Sequence, residues 1–247
     1  MIGRLDESFK AEQRFTSDAS HELRTPMSVI MAQCEYTLEK ERTAAEYEDA
    51  LKVIRRQGKK MSKLIDDMLC FARLDRNQDS YPREEVNFSA LVDDVCGDMA
   101  LLRDKDITLD RETEPGIFFY GNTMLLTRML TNLISNAYRY GKQNGRIHVV
   151  LKRDKGIRLS VEDDGIGIAG ERQKKIFERF YRAEASRSGD GTELGLAMVK
   201  DIARYHGALY RLCQKRGKGV CSRYSLENQI GIPGFDRDKK RKILMVQ

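Results

Sequence analysis

The sequence predicts a chain of two parts, an all-α helical hairpin followed by an α+β sandwich. Two long stretches, residues 4–40 and 46–76, carry apolar side chains at three- and four-residue steps, the spacing of one helix face. A polar, proline-containing segment at 76–85 then breaks the pattern. Beyond it, alternating apolar runs at 145–153 and 157–163 lie between helical patterns at 122–140 and 194–206. Helices and strands mixed in this order fit a sheet with helices on one face.

Each element has a local reason. In the first helix Leu5, Phe9, Phe15, Ala19, Leu23, Ile30 and Cys34 trace an apolar stripe. Pro26 removes the bond to the carbonyl of Glu22 and is expected to bend the helix there. Residues 41–46 fit a turn. The second helix carries Leu51, Ile54, Met61, Leu64, Ile65, Met68, Leu69 and Ala72, a wide stripe suited to packing on the first. Two helices alone bury too little surface, so hairpins from two chains are expected to form a dimeric four-helix bundle. A helix near 88–104 opens on Asn87 or Ser89 as cap, and a short strand follows near 106–111. Asp154-Lys155-Gly156 reads as the turn between two strands. Helix 194–206 closes on Gly207, and a last hairpin runs through 208–226 around Gly217-Lys218-Gly219. The expected boundaries are a hairpin at 1–76, a linker at 77–86, a second domain at 87–227 and an uninterpreted tail at 228–247.

Composition narrows the function. With 33% charged and 40% hydrophobic residues over 247 positions, the chain is an ordinary globular protein. No apolar run reaches the ~18 residues a membrane span needs, and no signal peptide opens the sequence. The net charge of +6 is scattered, so no nucleic-acid partner is expected. Lys239-Lys240-Arg241-Lys242 reads first as a solvated tail and second as an interaction patch. The cysteines at 34, 70, 96, 213 and 221 show no metal-ligand spacing. Cys213 and Cys221 could face each other in the last hairpin, but free thiols are the expectation. His148, in an alternating strand, and His206, at a helix carboxyl end where charge is favoured, need no function.

One string carries chemistry: Phe15-Thr-Ser-Asp-Ala-Ser-His21-Glu22-Leu-Arg-Thr25-Pro26. On a helix His21 and Thr25 share a face. Neutral imidazole is a good phosphoryl acceptor. Glu22 is placed to take the ring proton, and Thr25 to orient a water or a phosphate. Four motifs accumulate downstream. In Asn132-Leu-Ile-Ser-Asn136-Ala-Tyr-Arg139-Tyr140 two amides project from one helix face, and amide oxygens suit Mg²⁺, which needs few protein ligands. In Asp163-Asp164-Gly165-Ile-Gly167-Ile168 the glycines admit a flat ring, and Asp163 can accept from an exocyclic amine. Phe177-Glu-Arg179-Phe180-Tyr181-Arg182 combines aromatics, read as a small core under a loop, with two arginines, of which Arg182 is the better phosphate candidate. Gly191-Thr192-Glu193-Leu194-Gly195-Leu196 is a glycine-bearing loop feeding a helix, whose amino end attracts phosphate.

Together these resemble the phospho-acceptor box and the N, G1, F and G2 boxes of bacterial sensor histidine kinases, over residues 5–226. The resemblance implies a helical dimerisation domain followed by an ATP-binding domain of the GHKL (Bergerat) type. It implies that His21 accepts the γ-phosphoryl group, that Glu22 is its general base, and that Glu22 with Thr25 form the E-x-x-T pattern linked to regulator dephosphorylation. It implies ATP and Mg²⁺ as cofactors. Asn136 would hold the metal beside Asn132, and Arg139 and Tyr140 would line the site. Asp163 would bind adenine, with Gly165, Gly167 and Ile168 shaping the pocket. Arg182, Gly191, Thr192, Leu194, Gly195 and Leu196 would surround the phosphates. The implied partners are a second copy and the receiver domain of a response regulator. Residues 1–9 resemble the end of a signalling linker, which implies the cytoplasmic portion of an inner-membrane receptor, reaching the membrane only through segments upstream.

The sequence departs from the family at Glu193, where the pattern has glycine. A carboxylate roughly 5 Å from a phosphate is repelled by about 3 kcal/mol at an effective dielectric near ~20. Either Glu193 weakens ATP binding or it points to water. Two rival readings stand beside the kinase. One is a dimeric scaffold or regulator phosphatase that uses ATP poorly. The other is a GHKL-type ATPase, which would want a catalytic acid on the Asn136 helix, where the sequence offers none.

Overall fold

A computed structural model describes residues 2–76, 81–102, 104–154, 156–173, 175–181, 194–213 and 223–228. The chain divides into two compact units, Met1–Ser80 with Ala169–Met198, and Tyr81–Ile168 with Val199–Gln247.

The first unit is built on two long helices, α1 (Ile2–Leu38) and α2 (Ala44–Arg76). Pro26 is buried, and α1 runs uninterrupted through it. Arg42 closes the end of α1: its guanidinium donates to the Tyr36 carbonyl at 2.7 Å and lies 3.8 Å over the Tyr36 ring. The expected turn at 41–46 is shorter than predicted, because α2 has begun by Ala44. Thr43 and Glu46 form a capping box. The Glu46 carboxylate accepts from the Thr43 backbone N–H at 2.8 Å, and the Glu46 N–H donates to Thr43 Oγ1 at 3.3 Å. Ala19, Ala50, Leu64, Cys70 and Phe71 are buried in this unit. Large apolar side chains remain exposed on both helices: Met27, Met31 and Leu38 form one set on α1, with Val29 and Tyr36 on its other face, and Tyr47, Leu51, Ile65 and Leu69 form a set on α2. At 100° per residue each set falls on one face.

The second unit starts earlier than the predicted boundary. Residues 84–86, placed in the expected linker 77–86, belong with Asn87 to strand β1 (Glu84–Asn87), which pairs antiparallel with an unpredicted strand β3 (Phe118–Gly121). Asn87 rather than Ser89 caps α3 (Phe88–Ala100), accepting from the Ala90 N–H at 3.1 Å. Ser89 instead ties the helix to the β3 approach, donating to the Glu114 carbonyl and accepting from the Ile117 N–H. The helix ends before the predicted 104, and a 3-10 turn, Asp104–Asp106, precedes β2 (Thr108–Thr113). Asn122 caps α4 (Thr123–Tyr140) through a bond from the Leu125 N–H.

The main sheet adds β4 (Arg146–Arg153), β5 (Ile157–Asp163), β6 (Leu209–Cys213) and β7 (Arg223–Asn228), in the order β2-β4-β5-β7-β6. Among the described strands of this sheet only β2 and β4 run parallel. Ile147, Val149 and Leu151 alternate inward on β4 and are fully buried. Leu125, Leu126, Met129, Leu130 and Ile134 supply the buried face of α4. The turn at Gly217-Lys218-Gly219, Cys221 and residues 229–247 lie outside the described residues, as does the side chain of Cys213. Cys34, Cys70 and Cys96 are free thiols, and burial pushes the Cys96 thiol up to about 11, which keeps it unreactive.

Helix α5 (Gly195–Tyr205) closes on Gly207 at φ +67°, with the Ala208 N–H bonded to the Ala203 carbonyl. The expected charge on His206 is overturned. The ring is buried, accepts from the Asn122 N–H at Nε2 (3.1 Å) and faces the Ile202 carbonyl with Nδ1 (2.9 Å). That arrangement needs a proton on Nδ1 and none on Nε2. Desolvation above all, aided by nearby Arg83 and opposed by the Ile202 bond, lowers its pKa from 6.5 to about 4. The unfolded chain takes up this proton first as pH falls. Stability is therefore full above 6.5 and declines between 6.5 and about 4, by about 3 kcal/mol in all. Melting curves across that window should show a steeper acid loss for the native chain than for His206→Gln.

Candidate functional site

The candidate residues are carried by three places in the fold. The first is α1. His21 is exposed on the helix surface, Glu22 is half-buried, and the Thr25 hydroxyl donates to the His21 carbonyl at 3.3 Å. That bond confirms the shared face, which the i, i+4 spacing predicted. An exposed imidazole with a carboxylate next in chain can accept an electrophile from solvent without unfolding anything around it.

The second place is the end of α4 and the loop after β5. Asn132 is buried at 6% exposure, and its Nδ2 has no hydrogen-bond partner. A buried amide donor left unpaired costs about 1–3 kcal/mol, and an acceptor brought by a ligand would relieve that cost. Asn136, one turn on, is half-buried, as are Arg139 and Tyr140. Arg139 lies 5.4 Å over the Tyr140 ring. The last carbonyls of α4 are all claimed. Gly141 N–H donates to Ala137, and the Lys105 ammonium donates to Tyr138 (3.1 Å), Arg139 (2.6 Å) and Gly141 (3.2 Å).

Tyr140 offers its carbonyl to the Ile166 N–H at 3.2 Å, so the loop sits directly on the helix end. Gly165 makes this possible: a Cβ there would stand 2.2 Å from the Tyr140 oxygen. Asp163 is buried at 6% exposure and accepts from the Gly165 N–H at 3.0 Å. Gly167 takes φ +65°, and Ile168 is half-buried. Asp164 braces the loop from outside, accepting from the Arg146 N–H (3.0 Å) and Lys142 (3.0 Å). Partial burial opposes its ionisation, but those two bonds prevail and hold its carboxyl below the ordinary value.

The third place is the segments 169–181 and 194–196, within the first unit. Phe177 is buried, as expected of a small core. Arg179 was the lesser phosphate candidate, and it is engaged elsewhere: it pairs with both carboxylate oxygens of Asp75 (3.0 and 3.1 Å) and lies 4.2 Å over Phe71. Phe180, at φ +61°, packs 5.5 Å from Phe15. Leu194 is buried, and Gly195 and Leu196 open α5 half-buried. Arg182, Gly191, Thr192 and Glu193 lie outside the described residues.

Sequence reasoning missed Lys105, whose partners lie more than thirty residues away and leave no short-range pattern. It also missed the Thr43–Glu46 box, although Thr-Ala-Ala-Glu spells that signal.

Comparison with known proteins agrees with this geometry. Residues 11–77 match the family described as His Kinase A (phospho-acceptor) domain, and 121–230 match the Histidine kinase-, DNA gyrase B-, and HSP90-like ATPase family. The sensor protein kinase PmrB of Pseudomonas aeruginosa is 35% identical over 243 residues, covering 98% of this chain and 50% of PmrB. The chain belongs to the bacterial two-component sensor histidine kinases. Among solved structures, the mycobacterial sensor histidine kinase MprB aligns with TM-score 0.52 and 29% identity, over 58% of this chain and 97% of that one. The Acinetobacter baumannii histidine kinase AdeS aligns with TM-score 0.64 over 84% of this chain and 97% of that one, and at 22% identity it supports the fold alone. This histidine kinase chain spans about half the length of PmrB. None of its described helices is long and apolar enough to cross a membrane.

Proposed function

We propose that the chain is the catalytic portion of a dimeric sensor histidine kinase that phosphorylates His21 from ATP and passes the group to an aspartate of a response regulator. The observation that carries this is the pairing of two features in one chain. One is the exposed His21 with half-buried Glu22 beside it on α1. The other is a buried, unpartnered Asn132 amide on the helix whose end seats the Gly165 loop.

The chemistry is phosphoryl transfer, which needs positioning and charge neutralisation more than covalent help. A ring nitrogen of His21 uses its lone pair to form the N–P bond. The bond from the γ-phosphorus to its bridging oxygen breaks, and that electron pair leaves on ADP. Glu22 takes the proton from the other ring nitrogen. In the second reaction the N–P bond breaks as a regulator carboxylate forms its O–P bond. Thr25, one turn beyond His21, orients the water that reverses the regulator's phosphorylation.

In the nucleotide site Asp163 receives the adenine amine, with Gly165, Gly167 and Ile168 letting the ring approach. The unpartnered atom of Asn132 is a donor, so it suits a phosphate oxygen, whereas the half-exposed Asn136 offers an amide oxygen that suits Mg²⁺. Magnesium, when bound, neutralises the charge on the transferring phosphates. Arg139 and Tyr140 border this end of the site. By likeness to the family, Arg182, Gly191, Thr192, Leu194, Gly195 and Leu196 are the residues proposed to meet the phosphates.

A second copy is the first partner, and the exposed stripes Met27-Met31-Leu38 and Tyr47-Leu51-Ile65-Leu69 support it. A response-regulator receiver domain is the second. The likeness to a sensor protein kinase supports a cytoplasmic role beneath an inner-membrane receptor.

Incubation with Mg²⁺ and ATP is expected to yield an acid-labile, base-stable phosphoprotein, and withholding the metal should abolish it. A stable ATP complex that never forms this phosphate contradicts the kinase reading. For Glu193, the expected result of Glu193→Gly is a tighter nucleotide dissociation constant in calorimetry. An unchanged constant means that the carboxylate points to water.

A further inference from the structure

We propose that Lys105 is a positioning residue for the nucleotide: its ammonium fixes the carboxyl end of α4, and that end seats the glycine loop 163–167. The proposal rests on the reading of Asn132, Asp163 and Gly165 as nucleotide-binding residues.

An α-helix leaves its last four carbonyls without partners of its own. In α4 these belong to Ala137, Tyr138, Arg139 and Tyr140. Ala137 is served by the Gly141 N–H at 2.8 Å. The Lys105 ammonium has three N–H donors and three carbonyls within reach: Tyr138 at 3.1 Å, Arg139 at 2.6 Å and Gly141 at 3.2 Å. The carbonyl it passes over, Tyr140, is the one that accepts the Ile166 N–H of the glycine loop. One cation therefore organises the helix end and leaves a single acceptor for the loop. Its positive charge also meets the negative end of the helix dipole.

The chain around Lys105 adopts a costly conformation to make this contact. Lys105 and Asp106 are consecutive non-glycine residues at φ +55° and +51°. Such backbone persists where surrounding contacts over-determine it. Here the Asn144 N–H donates to the Lys105 carbonyl at 3.0 Å, and the Gln143 side chain donates to Asp106 at 3.1 Å. The seat has little slack, because Gly165 already clears the Tyr140 oxygen only for want of a Cβ. Movement of the helix end displaces the loop that carries Asp163 and Gly167.

The test compares Lys105→Met, Lys105→Arg and Asp163→Asn in the full chain, titrated with Mg-ADP by calorimetry at a temperature where each is folded. Hydrogen exchange at the Ile166 amide is read in parallel. Lys105→Met is expected to weaken binding on the order of tenfold and to speed exchange at Ile166, and Lys105→Arg to restore most of both. If Lys105→Met does not fold, Lys105→Gln takes its place with a smaller loss in the same direction. Wild-type affinity in Lys105→Met or Lys105→Gln, while Asp163→Asn loses binding, overturns the positioning role and leaves the site intact. Equal losses in Lys105→Met and Lys105→Arg, matched by equal falls in melting temperature, overturn it as plain destabilisation. Failure of the native chain to bind Mg-ADP, or an unchanged affinity in Asp163→Asn, overturns the site reading itself and the proposal with it.

Discussion

Gly165→Ala is expected to abolish measurable nucleotide binding and to lower stability by about 2–3 kcal/mol. The added Cβ would lie 2.2 Å from the Tyr140 oxygen, 2.7 Å from the Tyr140 carbonyl carbon and 2.9 Å from an Asp163 oxygen. Two of those three atoms are backbone at the clamped end of α4, so the loop rather than the helix must withdraw. Withdrawal breaks the Ile166–Tyr140 bond and strains the Gly165–Asp163 bond, and it moves the buried carboxylate proposed to receive adenine. Gly170→Ala is the natural control: a Cβ there meets nothing within 4 Å, so melting temperature and affinity should stay as in the native chain. Calorimetric titration with Mg-ADP, beside thermal melts of both variants, reads the contrast. Native affinity in Gly165→Ala would mean that the nucleotide lies elsewhere.

His21→Gln is expected to eliminate phosphate incorporation while leaving fold and nucleotide affinity untouched. His21 is exposed, and its described contact is the one its backbone carbonyl makes with Thr25, which glutamine preserves. Exposed substitutions of this kind shift stability by only about 0.5 kcal/mol or less. The loss is of the nucleophile itself, so no residual fraction is expected in a radiolabelling assay run beside a nucleotide titration. Phosphate incorporation at native levels in His21→Gln would place the acceptor on another side chain.

The parts of this protein legible in its sequence were those governed by short-range rules. Period decided α1, α2 and α4, and alternation decided β4 and β5, whose alternate apolar residues are buried. The placement of Thr25 one turn beyond His21 was legible because side chains four apart on a helix share a face, and the tight loop at Gly165 because Asp-x-Gly-x-Gly favours a turn. Strands β1 and β3 were not, since four-residue strands carry too little alternation to stand out from a linker. His206 was misread for a related reason. Its place at a helix end favours charge, but the Asn122 N–H that occupies its Nε2 comes from 84 residues away. Arg179 and Lys105 likewise owe their roles to partners far along the chain, Asp75 in one case and the α4 carbonyls in the other. Local patterns set the helices and the glycine loop, and tertiary contacts decided the partners of their cations.

The most direct test of the central claim is to incubate the native chain with Mg-ATP and locate the phosphate by tandem mass spectrometry under base-stable conditions. The account predicts a single acid-labile phosphate on the imidazole of His21. Phosphate on a serine, threonine or aspartate with His21 unmodified, or none despite tight ATP binding, would contradict it.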